Sequence, residues 1–595
     1  MQRVRVALGR LRVAALDRWP LLLICVVGVA TNLLWLAHHR RGLPFDIDEA
    51  GYLQRAIVDG QTLDDKGITG FFSHLHSPDP QAPLLPATAG VVHAILGVGP
   101  IGMMGTQEIF YVALVAAAWS IARRLGGRGF AIVMAIVTAS LPGAIDVARS
   151  FQFALVAAAA FAVALALLLW CERFDSWRRA AVWGVALGVA ALSRTMVLGL
   201  LPGLLLAAGV RILAVGISWR RIARLAMAIV VGFLVAWSWY SASWRNVFDY
   251  LRSYGYGAQA NSYGPGHKAL TPAWWTVRFD GIAETSMHFL PIVGVAVALG
   301  ATGGAALVTL FDRRRSDTPV MTPITAASVR TTASSDVTSV AIVGSYCYLA
   351  LSSTRNLGSL FELPIVVPIV VVLLHRAWRR DVARWVMSAA MVGASAFTFV
   401  QMTGLLPLHY EQVRLGTKGV PVYDDRGRLG DTARRTLLIP ATDTDAQFED
   451  QLRDYQSAAG DAARKILERT RAAGVQPVLF FGTQDPWFNT NSLSLDLLLL
   501  AGREAPIGLF LPAPATPADA VRLLEDPRRG QPNVVITGPV FPNPGTVSFN
   551  ILDHPAVAEA GLQQDGFAAF ASVVMPDGRT LTLWFKKRGP VLPGR

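Results

Sequence analysis

Phe45-Asp46-Ile47-Asp48-Glu49-Ala50-Gly51-Tyr52-Leu53-Gln54-Arg55-Ala56 follows directly on the first long apolar run of the chain, residues 19–38. Three carboxylates in four residues stand where the chain has just left an apolar environment. Charge that close to a bilayer is costly unless it has a partner or a task. Two questions follow: which side of a membrane the stretch faces, and what its carboxylates do.

The rest of the chain supplies the membrane. Of 595 residues, 53% are hydrophobic and 16% charged, and the mean hydropathy is +0.41. That composition is a polytopic α-helical membrane protein's, not a soluble protein's. The net charge of +13 comes largely from short arginine clusters between apolar runs. It reads as membrane orientation and not as nucleic-acid binding. Cys25, Cys171 and Cys347 all fall in apolar runs, so they neither staple an exterior domain nor space out a metal site. The basic N-terminus precedes an apolar stretch without a small-residue cleavage site, which predicts an uncleaved first span.

Eleven runs have the length a bilayer requires: 19–38, 103–122, 129–148, 152–170, 180–193, 196–214, 222–242, 285–310, 337–353, 359–376 and 385–405. The run 83–97 decides the topology. If it does not cross, the clusters around Arg123, Arg178, Arg220, Arg314 and Arg379 share the N-terminal side. Opposite them stand single arginines, Arg149, Arg194 and Arg355. The positive-inside rule favours that arrangement. It makes 83–97 an exterior surface helix started by Pro83 and Pro86, and puts the N-terminus inside and the C-terminus outside. The quoted stretch then lies in an exterior loop, 39–102. A second exterior loop, 243–284, is rich in Trp, Tyr and Gly, and 312–336 is an interior Ser/Thr/Ala-rich linker.

After Leu408 long apolar runs stop. A helical pattern over 447–473 precedes a buried strand at 477–481 and a Leu-rich helix at 491–502. Strands at 506–511 and 533–537 flank a helix opening at Thr516-Pro517, and a hairpin turns at Pro576-Asp577-Gly578. The expected organisation is a transmembrane module, 1–408, followed by an extracytoplasmic α/β domain with a parallel core, 409–595.

Within the quoted stretch, Asp46 is placed to cap a helix beginning at Ile47, with Glu49 three residues on in a capping box. Leu53 and Ile57 share one face of that helix; Asp48, Tyr52, Arg55 and Asp59 share another. Two readings stand: a capped amphipathic helix on the outer leaflet, or a helix aiming Asp48 into a cavity as a general base beside Glu49.

The layout resembles the GT-C superfamily of membrane glycosyltransferases, near protein O-mannosyltransferases and aminoarabinose transferases. The resemblance covers roughly residues 10–405. Its elements are the Asp48-Glu49 pair after the first span, the His76-Ser77-Pro78-Asp79-Pro80-Gln81-Ala82-Pro83 segment before a surface helix, and Arg355 before a late span with Leu363-Pro364. This chain departs from the family at the interrupted His/Pro segment, at Gln152, where relatives often place an acid, and at 243–284, too short for the mannosyltransferases' sugar-binding insert. The resemblance implies transfer of one sugar from a polyprenyl-phosphate donor, with Asp48 and Glu49 catalytic. Asp46, Tyr52, His76, Arg149, Arg194 and Arg355 are the expected substrate contacts. Each arginine has an alternative, snorkelling to lipid headgroups. No cofactor is implied, and a divalent metal stays open. The expected partners are the bilayer, the lipid-linked sugar and an envelope glycan, lipid or exported protein, at a bacterial cytoplasmic membrane. Competing readings are a transporter or flippase of an envelope precursor and a non-catalytic scaffold. The absence of an internal repeat and the scarcity of ionisable span centres weigh against transport.

Overall fold

The structure is a computed structural model. It describes residues 2–256, 271–273, 275–276, 282–315, 341, 345, 363–378, 381–403, 411–415, 418–423, 445–481, 488–502, 507–509, 516–526, 531–539 and 555–588.

The chain is a polytopic helical membrane protein with a C-terminal α/β domain. In order, the N-terminal helices are α1 (Gln2–His39), α2 (Ile47–Leu75), α3 (Leu84–Leu96), α4 (Pro100–Met104), α5 (Gln107–Ala139), α6 (Pro142–Ala148) and α7 (Phe153–Cys171). Then come α8 (Trp177–Ser193), α9 (Leu201–Val215), α10 (Trp219–Tyr256), α11 (Phe289–Arg315), α12 (Leu363–Trp378) and α13 (Asp381–Met402). Among the described residues, 6 helical stretches are long and apolar enough to cross a membrane: Arg18–His39, Pro100–Ala139, Phe153–Cys171, Thr195–Val215, Trp219–Ser253 and Ala383–Met402. Leu84–Leu96, Phe289–Gly304 and Leu363–His375 are shorter apolar helices.

The chain forms two compact units: Met1–Ala37 with Phe72–Ala87 and Met104–Arg428, and His38–Phe71 with Thr88–Met103 and Leu429–Arg595. In the first, α7 is buried along nearly its whole length and apolar all round, as a central bundle helix must be. Small residues bring α8 and α10 together. A methyl built on Gly184 would stand 2.5 Å from the Ala228 carbonyl oxygen, and one on Gly188 2.7 Å from that of Gly232. Membrane helices pack through such small-residue seams.

Several expected spans are redrawn. Residues 129–148 do not form one helix. The α5 helix leaves helical geometry at Gly127 (φ 80, ψ −167) and ends at Ala139; Leu141 is extended, and Pro142 opens the short α6. Proline pushes the residue before it out of helical geometry and suits a first helical turn. The α10 helix runs to Tyr256, so the first part of the expected 243–284 loop is helical. Residues 257–270, 274 and 277–281 of that loop, most of the 312–336 linker and most of the 337–353 run lie outside the described residues.

In the second unit the C-terminal domain follows the sequence pattern. The hairpin β1 (Glu411–Leu415) and β2 (Lys418–Tyr423) belongs to the first unit and has no counterpart among the expected strands. Then follow α14 (Asp445–Ala473), β3 (Val478–Phe481), α15 (Thr490–Ala501), β4 (Ile507–Leu509), α16 (Pro517–Glu525), β5 (Val534–Thr537), α17 (Pro555–Gln564), β6 (Ala568–Val574) and β7 (Thr580–Phe585). The sheet order is β4-β3-β5-β7-β6; β4, β3 and β5 are parallel, and β7 pairs antiparallel with β5 and β6. Parallel strands covered on both faces read as unbroken apolar runs, as Val478–Phe481 and Val534–Thr537 do. Leu43, from the segment after α1, joins the core of this domain with Leu452, Tyr455, Phe481 and Phe488.

Candidate functional site

The start of α2 is built by its own side chains. Asp46 Oδ1 accepts the backbone N–H of Asp48 (2.7 Å) and of Glu49 (3.1 Å), and the Asp46 carbonyl takes the first helical bond, from the Ala50 N–H (2.9 Å). These amides would otherwise lack partners at a helix N-terminus. Asp46 is buried. That burial, with the neighbouring Glu49 and Asp48 carboxylates behind it, pushes its carboxyl well above the usual carboxylate range, against the pull of the two cap amides.

Glu49 is fully buried and forms an ion pair with Arg40, which is buried too. Arg40 Nη1 also donates to the Pro44 carbonyl (3.1 Å), and its guanidinium lies 5.4 Å from the centre of the Phe45 ring. Asp46 and Glu49 are thus two buried carboxylates three residues apart, and Arg40 pairs with the second of them. Burial and two neighbouring carboxylates both favour the protonated form of Asp46.

Asp48 differs from both. It alone of the three carboxylates is exposed. Tyr52, one turn on, is buried, and so is Asp59, which the amphipathic reading had placed on a polar face. Leu53 and Ile57 are buried as expected. The first turns of α2 are thus packed in protein around most of their circumference. Glycine permits this: a methyl on Gly60 would stand 2.8 Å from the Gly90 carbonyl oxygen of α3.

His76, Arg149 and Arg194 lie in the first unit. His76 Nδ1 donates to the Ser238 carbonyl of α10 (2.9 Å), which leaves Nε2 as the acceptor of the neutral ring. The Asp79 N–H donates to Ser243 Oγ (3.2 Å), so the His/Pro segment is fastened to α10 at two points. Arg149 is buried, not at an interface: Nε donates to Asn32 Oδ1 (3.1 Å), Nη1 to the Met402 carbonyl (2.6 Å), and the guanidinium lies 4.8 Å from the Trp35 ring centre. Asn32 Nδ2 reaches Glu108 Oε2 at 3.5 Å. Arg194 is half-buried and extended (φ −165, ψ 137) between α8 and the turn Thr195–Gly199. Arg355 lies outside the described residues.

Sequence reading passed over Arg40, Asn32, Glu108 and Asn491. Asn32 and Glu108 left a signal, a polar residue inside an apolar run. Arg40 resembled any cation flanking a span. No group of three or more His, Cys, Asp or Glu among the described residues is placed to hold a metal ion.

No family model matches the sequence, and no curated protein sequence matches it. Solved structures do match. ArnT from Cupriavidus metallidurans bound to undecaprenyl phosphate superposes with a TM-score of 0.50 at 13% identity, over 94% of this chain and 97% of that one. The same protein in the apo state gives 0.49 at 13% identity, again over 94% and 97%. The Archaeoglobus fulgidus oligosaccharyltransferase AglB, in complex with an inhibitory peptide and a dolichol-phosphate, gives 0.44 at 9% identity over 88% of this chain and 70% of that one. The chain is a multi-pass helical membrane protein with the fold of the ArnT structure.

Proposed function

We propose that the chain is a glycosyltransferase that moves one sugar from a polyprenyl-phosphate donor to an envelope acceptor. The observation that carries this is the fold shared with ArnT over nearly the whole of both chains; that structure holds undecaprenyl phosphate. In the reaction the acceptor oxygen forms a bond to the anomeric carbon as the bond from that carbon to the phosphate oxygen breaks. The acceptor proton passes to Asp48. The polyprenyl phosphate leaves with its charge, which a fixed guanidinium would stabilise. Arg149, Arg194 and Arg355 are the candidates; Arg149 is held on Asn32 and the Met402 carbonyl. His76 and Tyr52 would orient substrate.

The exposure of Asp48 supports it as the base. Asp46 and Glu49 are buried, and of the three carboxylates Asp48 is the exposed one. A base must reach the proton it takes. The site would face the exterior of a bacterial cytoplasmic membrane, with the N-terminus inside. The test supplies membranes containing the full chain with undecaprenyl-phosphate carrying labelled mannose, glucose, galactose or arabinose, one at a time. Label should pass from lipid to a non-lipid or remodelled-lipid product, about 100-fold or more slowly with Asp48→Asn. Label that crosses the membrane without forming a product would contradict the reading.

A further inference from the structure

A side chain of the C-terminal domain reaches the carboxylate stretch. Asn491 Nδ2 donates to the Ile47 carbonyl at 2.7 Å. Asn491 stands in the first turn of α15, directly after the cap. There Asn489 Oδ1 accepts the Ser492 N–H (2.9 Å) and Ser492 Oγ accepts the Asn489 N–H (3.0 Å). That reciprocal pair is a full capping box, so Asn491 rises from a rigid base.

The approach depends on Gly51. A methyl there would stand 2.9 Å from Asn491 Nδ2 and would push the amide off Ile47. At the far end of α15, Gln61 Nε2 of α2 donates to the Gly502 carbonyl (3.0 Å). Leu43, just before α2, is sunk in the core of the same domain. The domain thus holds α2 before its start, at its first turn and again near its middle.

These contacts converge on Asp48. The residue before it has its carbonyl held by Asn491, and its own N–H is held by Asp46. The residue after it has its carboxylate held by Arg40. We propose that the C-terminal α/β domain is the positioning module of the transferase: Asn491 fixes the first turn of α2 and thereby the direction of the Asp48 carboxylate. This rests on the reading of Asp48 as base. Asn491 is a positioning residue and touches no reacting atom. A donor with the reach of an asparagine amide is required, because a carboxylate in its place would face the Ile47 carbonyl with a second acceptor. Misplacing a reacting group by about 1 Å can cost about 100-fold in rate.

The experiment uses the full chain in membranes with the labelled undecaprenyl-phosphate sugars above. It compares Asn491→Asp, Asn491→Ala, Gly51→Ala and the double variant Gly51→Ala/Asn491→Ala, with Asp48→Asn in parallel. Amide hydrogen exchange is followed at 47–53 and at β3 and β5. Asn491→Asp is expected to lower kcat about tenfold or more with the donor KM unchanged, and to speed exchange at 47–53 while β3 and β5 stay protected. Gly51→Ala should act in the same direction. The double variant should be no worse than the poorer single one, because both act through one contact. Wild-type kcat in all four variants beside an inactive Asp48→Asn would overturn the positioning role alone. Wild-type transfer by Asp48→Asn would overturn the base assignment, and the role of Asn491 with it.

Discussion

Arg40 and Glu49 form an ion pair in which each side chain is 1% exposed. The pair ties the segment leaving α1 to the third residue of α2. Two charges out of water hold each other well, but either one alone is heavily penalised. Glu49→Ala or Arg40→Ala should therefore each destabilise the second unit by about 3–5 kcal/mol. Replacing both, as Arg40→Met with Glu49→Leu, should cost clearly less than the sum. Thermal unfolding of the four proteins in one detergent, followed by tryptophan fluorescence, reads the comparison. Additive losses would mean that the two side chains do not act together.

Asp46 carries a pH dependence of definite sign. Its folded carboxyl titrates above its unfolded one, so between the two values the folded state binds the extra proton. Stability from this group is therefore lost as pH rises through that window and regained as pH falls. Asp46→Asn should keep the cap and flatten this part of the profile. Asp46→Ala should flatten the profile as well, but lie about 1 kcal/mol below Asp46→Asn at every pH because the cap is lost. Unfolding temperature measured across pH separates the two variants.

A second buried acid lies in the C-terminal domain. Burial pushes the Asp496 carboxyl of α15 up to about 7 from 3.8, although Gln456 Nε2 donates to both its oxygens at 2.9 and 3.2 Å. The sign is the same: the folded state holds the proton between the two values, and stability falls as pH rises through them. Asp496→Asn should raise stability above neutral pH by on the order of 1–3 kcal/mol and have little effect at pH 4. No gain at pH 8 would show that Asp496 is solvated.

The α2–α3 contact gives a purely steric prediction. A methyl on Gly60 meets the Gly90 backbone oxygen at 2.8 Å, and backbone cannot swing aside as a side-chain tip can. Gly60→Ala should destabilise by about 1–3 kcal/mol. Gly474→Ala carries no such clash, but Gly474 has φ +70, so its penalty is conformational and smaller, about 1 kcal/mol. Unfolding of the two variants under one condition ranks them.

What could be read in the sequence was local. Asp46 as a cap follows from its place before Ile47, and Glu49 is at the third helical position, but the partner that occupies Glu49 is Arg40, nine residues back and off the helix. No periodicity announces such a pair. Residues 478–481 and 534–537 were legible as strands because parallel strands buried on both faces are short unbroken apolar runs. The short strands at 411–423 carry Arg414, Lys418 and Pro421 and show no such run. The break at Ser140–Leu141 was legible in Pro142, but the surrounding hydropathy hid it. Asp59 was misplaced because helical periodicity assigns faces and cannot tell that both faces are covered. Asn491 lies 444 residues from Ile47, and only tertiary structure shows that contact.

Asp48 as the general base of a lipid-phosphate-dependent sugar transfer can be tested at the chemical step itself. Single-turnover transfer of label from undecaprenyl-phosphate sugar by the full chain in membranes compares wild type with Asp48→Asn, with exchange of the α2 amides as a check on folding. The chemical step should fall about 100-fold or more while α2 stays protected. Transfer by Asp48→Asn at the wild-type rate would contradict it.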